Sequence, residues 1–382
     1  MGVSEEPIYL DHNATTPVDP EVLEAMLPFF RGEFGNPSSA YPLGRRARAA
    51  LEAARAEVAG LIGPAADEIV FTGGGTEASN LAIRGVLPSP RRSGVVTTTI
   101  EHPATAAACA VLEAAGRPVR RVAPRPDGTV DPDAMADAID GATLLVTLIH
   151  AQNEIGTLQP VAAVAGAAKA AGALVHADAA QSLGKVAVDV DALGVDLLSV
   201  AGHKLGAPKG VGALYVRRGV ALAPLVVGAG QERGLRPGTE NVAFCVGLGT
   251  ACRLAGRRVD EHGRRMAALS AELLERLAAG VPGLVLNGAT AARLPNTLNL
   301  LFPGVSGRTL LDACPEVAAS TGSACHAGSE EPSAVLAAIG VPRAAALGAV
   351  RLSLGRATTS EEVGAAADAL VTAWRRLAAA AA

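Results

Sequence analysis

Aromatic residues are scarce. Only 3% of the 382 positions are Phe, Trp or Tyr, with a single tryptophan. Alanine, valine, leucine and glycine must therefore fill the core, which calls for close helix packing and in itself points to no function. Lysine is scarcer still: among 33 basic residues only Lys169, Lys185, Lys204 and Lys209 are lysines. The cysteines Cys109, Cys245, Cys252, Cys314 and Cys325 are odd in number and spread out, with no C-x-x-C pair. That excludes a disulfide framework and a zinc site, and it suits a reducing cytoplasm. No apolar run reaches the ~18 residues of a membrane-crossing helix, so no membrane is expected. The opening "MGVSEEPIYLDHN" is acidic, lacks a secretory apolar segment and lacks the hydroxyl residue that myristoylation requires. Without secretion, the Asn13-Ala14-Thr15 sequon reads as chance. A net charge of -4 supplies no basic stripe for direct contact with nucleic acid.

What the chain does have is rhythm. The length suits two domains, or one large α/β domain with an appendage. From about residue 45 to 220, helical stretches such as "GRRARAALEAARAEVAGLIG" alternate with short apolar runs. Those runs include "EIVFTGGGT", "GVVTTTIEHPA", "TLLVTLIHAQNE", "ALVHADAAQ" and "VDLLSVAGHK". This is the alternation of a mostly parallel sheet with helices on both faces. Ligands bind such sheets beyond the carboxyl ends of the strands. His102, Asn153, Asp178, His203 and Lys204 close those runs and should meet on one rim. Residues 242–280 read as a long connecting helix. Beyond it, "GLVLNG", "TLNLLF" and "AVRLSLG" mix with helices as a smaller α+β domain. The expected division is residues 15–255 as the large domain, with 1–14 and 256–382 forming the small one.

Lys204 and Lys209 fall together in "LLSVAGHKLGAPKG". Arginine cannot replace lysine where an amine must lose its proton and attack an aldehyde, which gives a reason to keep lysine here. On its own, either lysine also reads as an ordinary surface residue. Asp178 ends an apolar strand and could pair with a pyridinium nitrogen, or simply cap a helix. Gly73, Gly74, Gly75 and Thr76 lie between a strand and a helix, where backbone N–H groups bind phosphate or a threonine closes a tight turn. The stretch is neither G-x-G-x-x-G nor a Walker loop. His102 could stack on a flat ring or serve a structural role. Together the four describe a pyridoxal 5'-phosphate site.

At this point the chain resembles the cysteine desulfurases and selenocysteine lyases of the class V aminotransferase group, which share the fold type I architecture. The likeness runs in order through "YLDHNATTPVDP", "GNPSSAYPLGR", "FTGGGTEASNLAI", "EHPA", "QNEIGTLQP", "HADAAQSLGK", "GHKLGAPKGVGALYVR", "GQERGLRPGTEN", "STGSACHAG" and "RLSLGR". The resemblance implies that Lys204 holds the cofactor as an imine, Asp178 pairs with the ring nitrogen and His102 stacks on the ring. Gln181 and Asn153 would sit near the phenolic oxygen, while Gly75, Thr76 and His203 would bind the phosphate. Thr239 would reach the phosphate of a partner subunit, implying a homodimer with shared sites. Arg351 would clamp the substrate carboxylate, a task that suits a planar bidentate donor.

Cys325 lies in "STGSACHAGSEEPS", a small-residue stretch without apolar periodicity, whereas the other cysteines lie in apolar segments and read as buried. The resemblance makes it the thiolate that takes sulfur from L-cysteine as a persulfide and leaves alanine, with His326 a candidate base beside it. A sulfur-acceptor protein would follow, in iron–sulfur assembly, tRNA thiolation or DNA phosphorothioation. Release of selenium from L-selenocysteine is the nearest alternative; an aminotransferase and an inactive sulfur-assembly scaffold are further ones. Two positions depart from the family pattern: Ala201 stands where serine is common, and Gln152-Asn153-Glu154 where Asn-Asn-Glu is usual.

Overall fold

Short runs rich in β-branched residues and closed by turns become strands, and the Ala/Leu/Arg stretches between them become helices. The computed structural model describes residues 6–321 and 331–381. It starts with strand β1 (Ile8–Tyr9), followed by helices α1 (Pro20–Arg31) and α2 (Pro42–Ile62). Asp19 caps α1 by accepting the Glu21 N–H, and Gly63 ends α2 in the left-handed region at φ 97°. The alternating portion comes next: β2 (Ile69–Thr72), α3 (Gly75–Gly85), β3 (Gly94–Thr98), α4 (Pro103–Ala114), β4 (Val119–Val122) and α5 (Pro132–Ala138). It continues through β5 (Thr143–Ile149), α6 (Val161–Ala170), β6 (Leu174–Asp178), α7 (Val190–Leu193), β7 (Leu197–Ala201) and β8 (Gly212–Val216).

These strands form one seven-stranded sheet in the order β2-β8-β7-β6-β5-β3-β4, parallel except for β8. The expected mostly parallel sheet is therefore what forms. Every residue of β5 and β7 is buried, as befits strands covered on both faces. One polar row crosses that interior. His176 bonds Thr147 Oγ1 through Nδ1 and Ser199 Oγ through Nε2, both at 2.8 Å, so this buried histidine is satisfied within the core.

Helix α8 (Val242–Gly280) is the expected long connector, but it is not straight: Arg258 leaves helical geometry at φ -137° and ψ 15°. Its first half packs on α1 and α2. Small residues make that closeness possible, since a Cβ on Gly249 would lie 2.7 Å from Ala54 Cα. After it come β9 (Val285–Leu286), β10 (Thr297–Leu301), α9 (Gly307–Asp312), β11 (Val317–Ala318), α10 (Ala334–Ala338), α11 (Arg343–Ala346), β12 (Ala349–Ser353) and α12 (Ser360–Ala381). Strands β12, β10 and β9 form an antiparallel sheet, and β11 pairs in parallel with β1. Leu273 and Leu277 of α8, Leu298 and Leu300 of β10, and Leu370 of α12 share an apolar cluster separate from those around the large sheet.

One buried ion pair fixes the loop that precedes α8. Arg55 on α2 bonds both carboxylate oxygens of Glu232 at 2.7 Å, and Glu232 also accepts the Phe71 N–H. Glu232 and Arg233 have positive φ values of 46° and 56°, an unfavourable conformation for side-chain-bearing residues that this pairing holds in place. No helix among the described residues is long and apolar enough to cross a membrane.

Candidate active site

The carboxyl ends of β2, β3, β5, β6 and β7 open into a cavity of about 1570 Å³. Gly75, Thr76, His102, Asn153, Asp178, Gln181, His203, Lys204 and Arg351 all line it. These residues come from separate turns of the alternating region and, for Arg351, from the small sheet. Thr239 is exposed and does not line the cavity of its own chain. Cys325 and His326 lie outside the described residues.

Lys204 follows β7 in a single tight turn, Gly202–Lys204. Its Nζ donates to the carbonyl oxygens of Asn13 and Ala14, the latter at 2.7 Å. No carboxylate among the described residues bonds it. Burial, with the Arg351 cation nearby, pushes the amine down to about 8 against the attraction of Asp11 and Asp178. The neutral amine is thus accessible near physiological pH.

Asp178 ends β6 and is buried. Its Oδ1 accepts the Ala180 N–H at 3.0 Å, while Oδ2 has no protein donor among the described residues. Burial raises its pKa, opposed by the Ala180 bond, His102 and Lys204. His102 caps α4, its Nδ1 accepting the Ala104 N–H at 3.1 Å. That bond requires a lone pair on Nδ1, so the neutral ring carries its proton on Nε2. Burial also lowers the His102 pKa.

At the opposite edge, β2 gives way to Gly73 and Gly74 before α3. Gly74 sits at φ 148°, where a side chain is strained. Gly212 presses on it from β8, since a Cβ there would lie 2.8 Å from Gly74 Cα. The first-turn N–H groups of Gly75 and Thr76 have no intrahelical acceptor, leaving donors suited to an anion. His203 Nδ1 bonds Thr15 Oγ1 at 3.1 Å, and burial pushes its pKa down to about 4.

Arg351 on β12 donates to Asp11 Oδ1 at 2.6 Å and to the Asn153 carbonyl at 3.1 Å. Its Nε is buried with no partner among the described residues. A guanidinium that lines the cavity and is fixed by two acceptors suits a carboxylate ligand.

The sequence reading passed over three residues that the fold places in the cavity wall, as Asn13, or behind it, as Lys185 and Glu101. Asn13 is buried and bridges Lys185, Asn296, Thr297, Asn153 and Ser353. Of the four lysines Lys185 is the buried one, with Lys204 half-buried; the rarity of lysine in the chain was the available signal. Glu101, beside His102, accepts from Thr98 and Ile149, and burial pushes its pKa up to about 8. Nothing local marks it out. The four described cysteines are all buried free thiols. Burial raises Cys109 and Cys252 to about 12 and Cys314 to about 11, and raises Cys245 further.

The family model for class-V aminotransferases matches residues 8–365. Among curated proteins, cysteine desulfurase IscS of Dictyoglomus turgidum is 43% identical over 95% of this chain and 93% of its own length. IscS of Anaeromyxobacter dehalogenans is 46% identical over 94% of this chain and 90% of its own. Among solved structures, a NifS-like protein superposes with a TM-score of 0.90 at 36% identity, covering 96% of this chain and 98% of its own. SspA in complex with cysteine superposes with a TM-score of 0.81 at 36% identity, covering 92% and 99%. The chain belongs to the class-V aminotransferase family, within the group of the cysteine desulfurases.

Proposed function

We propose that this protein is a pyridoxal-phosphate-dependent cysteine desulfurase that converts L-cysteine to L-alanine and passes the sulfur to an acceptor protein. The observation that carries the reading is a depressed lysine amine, Lys204, lining one cavity with the buried carboxylate of Asp178. The residues present fit the cofactor: among the described residues Asp178 has an oxygen without a donor, for a ring N–H, and Gly75 and Thr76 have N–H groups without acceptors, for a phosphate.

Lys204 would hold the cofactor, Asp178 its ring nitrogen, and His102 the face of the ring. Gln181 and Asn153 would stand near its phenolic oxygen, and Gly75, Thr76 and His203 at its phosphate. Bound there, pyridoxal phosphate supplies an aldehyde that condenses with amines and a ring that withdraws electrons from the substrate. Asp178 keeps a proton on the ring nitrogen through its buried charge. Arg351 orients the amino acid through its carboxylate. Lys204, once displaced, takes the Cα proton as a neutral amine and later returns a proton to Cβ. Cys325 is assigned the sulfur-accepting role on sequence grounds. Its thiolate attacks the substrate sulfur, forming an S–S bond as the Cβ–S bond breaks, and the electron pair leaves with Cβ.

We further propose a homodimer in which Thr239 serves the partner's phosphate site, which its exposed position outside its own cavity supports. The division into residues 15–255, and 1–14 with 256–382, is supported by the separate apolar cluster of the small sheet. Four separate buried thiols support a reducing compartment, the cytoplasm. The test is mass spectrometry of the Cys325 peptide after incubation with L-cysteine. One added sulfur, matched by alanine release and absent from Lys204→Ala, is expected. An unmodified Cys325 peptide with alanine still released would overturn its assignment.

A further inference from the structure

Lys185 has no carboxylate partner among the described residues, although it is buried. Its Nζ donates to Gln181 Oε1 at 2.7 Å and to Asn13 Oδ1 at 2.9 Å. The charges acting on it, Lys204 and Arg351, are both cationic, and burial takes its pKa well below the usual lysine range. An amine kept in such a place is being used as a hydrogen-bond donor rather than as an ion-pair partner.

The orientation of the two amides it touches is fixed by groups that can only accept. Asn13 Nδ2 donates to the Asn153 carbonyl at 3.2 Å, so Asn13 must turn its oxygen toward Lys185. Gln181 Nε2 donates to the Asn13 carbonyl at 2.9 Å, so Gln181 also turns its oxygen toward Lys185. Reversing Gln181 would set oxygen against oxygen at Asn13 and an NH₂ group against the lysine donor. One Gln181 N–H then remains without a partner among the described residues, on a side chain that lines the cavity. Lys204 Nζ donates to the same Asn13 carbonyl, which places the Gln181 amide nitrogen near the amine.

We propose that Lys185 is a positioning residue: with the Asn13 carbonyl it locks the Gln181 carboxamide so that an N–H, not an oxygen, faces the phenolic oxygen of the cofactor. The proposal rests on the cofactor reading above. A hydrogen bond donated to the phenolic oxygen favours its anion, and so lowers the pH at which the lysine-bound chromophore loses its proton. Losing a donor to a charged group raises that midpoint by about one pH unit.

The test follows visible absorbance of the cofactor-loaded protein against pH. Lys185→Met and Gln181→Leu are each expected to raise the midpoint, and the double variant to raise it no further than Gln181→Leu alone. An unchanged midpoint in Lys185→Met overturns the proposal, as do additive shifts in the double variant, which a general packing defect would give. Should Lys185→Met fail to fold, Lys185→Leu removes the donor with a different apolar side chain and is expected to shift the midpoint in the same direction; an unchanged midpoint there also overturns the proposal. A wild-type protein with no visible band on loading would instead remove the cofactor reading itself.

Discussion

Arg351 and Asp11 form an ion pair of 2.6 Å at the wall of the cavity, with the arginine side chain 5% exposed and the aspartate 19%. The guanidinium is held in place before any substrate arrives, by Asp11 and the Asn153 carbonyl. Arg351→Lys keeps a charge but loses the planar fork. Steady-state kinetics of alanine release should show kcat/KM lower by about tenfold to a hundredfold, mostly through KM.

The depressed amine of Lys204 makes the cofactor-free protein pH-sensitive. Between about 8 in the folded state and 10.5 unfolded, the unfolded chain binds more protons, so stability rises with pH across that window. Below it, the buried cation costs at most about 3 kcal/mol. Cofactor-free Lys204→Met should therefore be more stable than wild type at neutral pH, with the difference closing as pH rises. Denaturant midpoints measured across the window check this; equal midpoints at neutral pH would contradict it.

Glu232 and Arg55 are both buried, at 2% and 6% side-chain exposure. Glu232→Ala leaves the guanidinium without its bidentate partner and should cost about 3–5 kcal/mol in chemical unfolding. Arg55→Met with Glu232→Met removes both charges and should recover much of that loss.

A Cβ on Gly75 would lie 3.0 Å from Ala201 Cβ, so Ala201 touches the first residue of α3. Ala201→Ser adds a hydroxyl donor beside the proposed phosphate site. Equilibrium binding of pyridoxal phosphate to the cofactor-free protein should tighten roughly fivefold, the value of about one neutral hydrogen bond.

The large sheet was legible because each buried strand carries its own signal: a short apolar run, a turn and a polar residue at the end. Asp178, His102 and Lys204 could be placed on one rim by that rule alone. The small sheet's three runs were also readable, whereas the two-residue pairing of Ile8 and Tyr9 with Val317 and Ala318 was not, since neither partner has periodicity. The kink at Arg258 has no proline or glycine at that residue to announce it. Glu101 and Asn13 were hidden for a different reason. Their significance comes from burial among groups distant in sequence, such as Ile149 for one and Thr297 for the other. Lys185 was the readable exception: the scarcity argument that singled out Lys204 applied to it equally, yet no motif drew attention to it.

The Asn13 N–H is bonded by Ser353 Oγ at 2.9 Å, across 340 positions of sequence. Synthesis from the amino end therefore produces the floor beneath Lys204 early and can tie it to Lys185, Gln181 and Asn153, whereas its tie to the small sheet waits until β12 has left the ribosome. A truncated product lacking β12 would lose both that tie and Arg351, leaving the cavity with one wall missing.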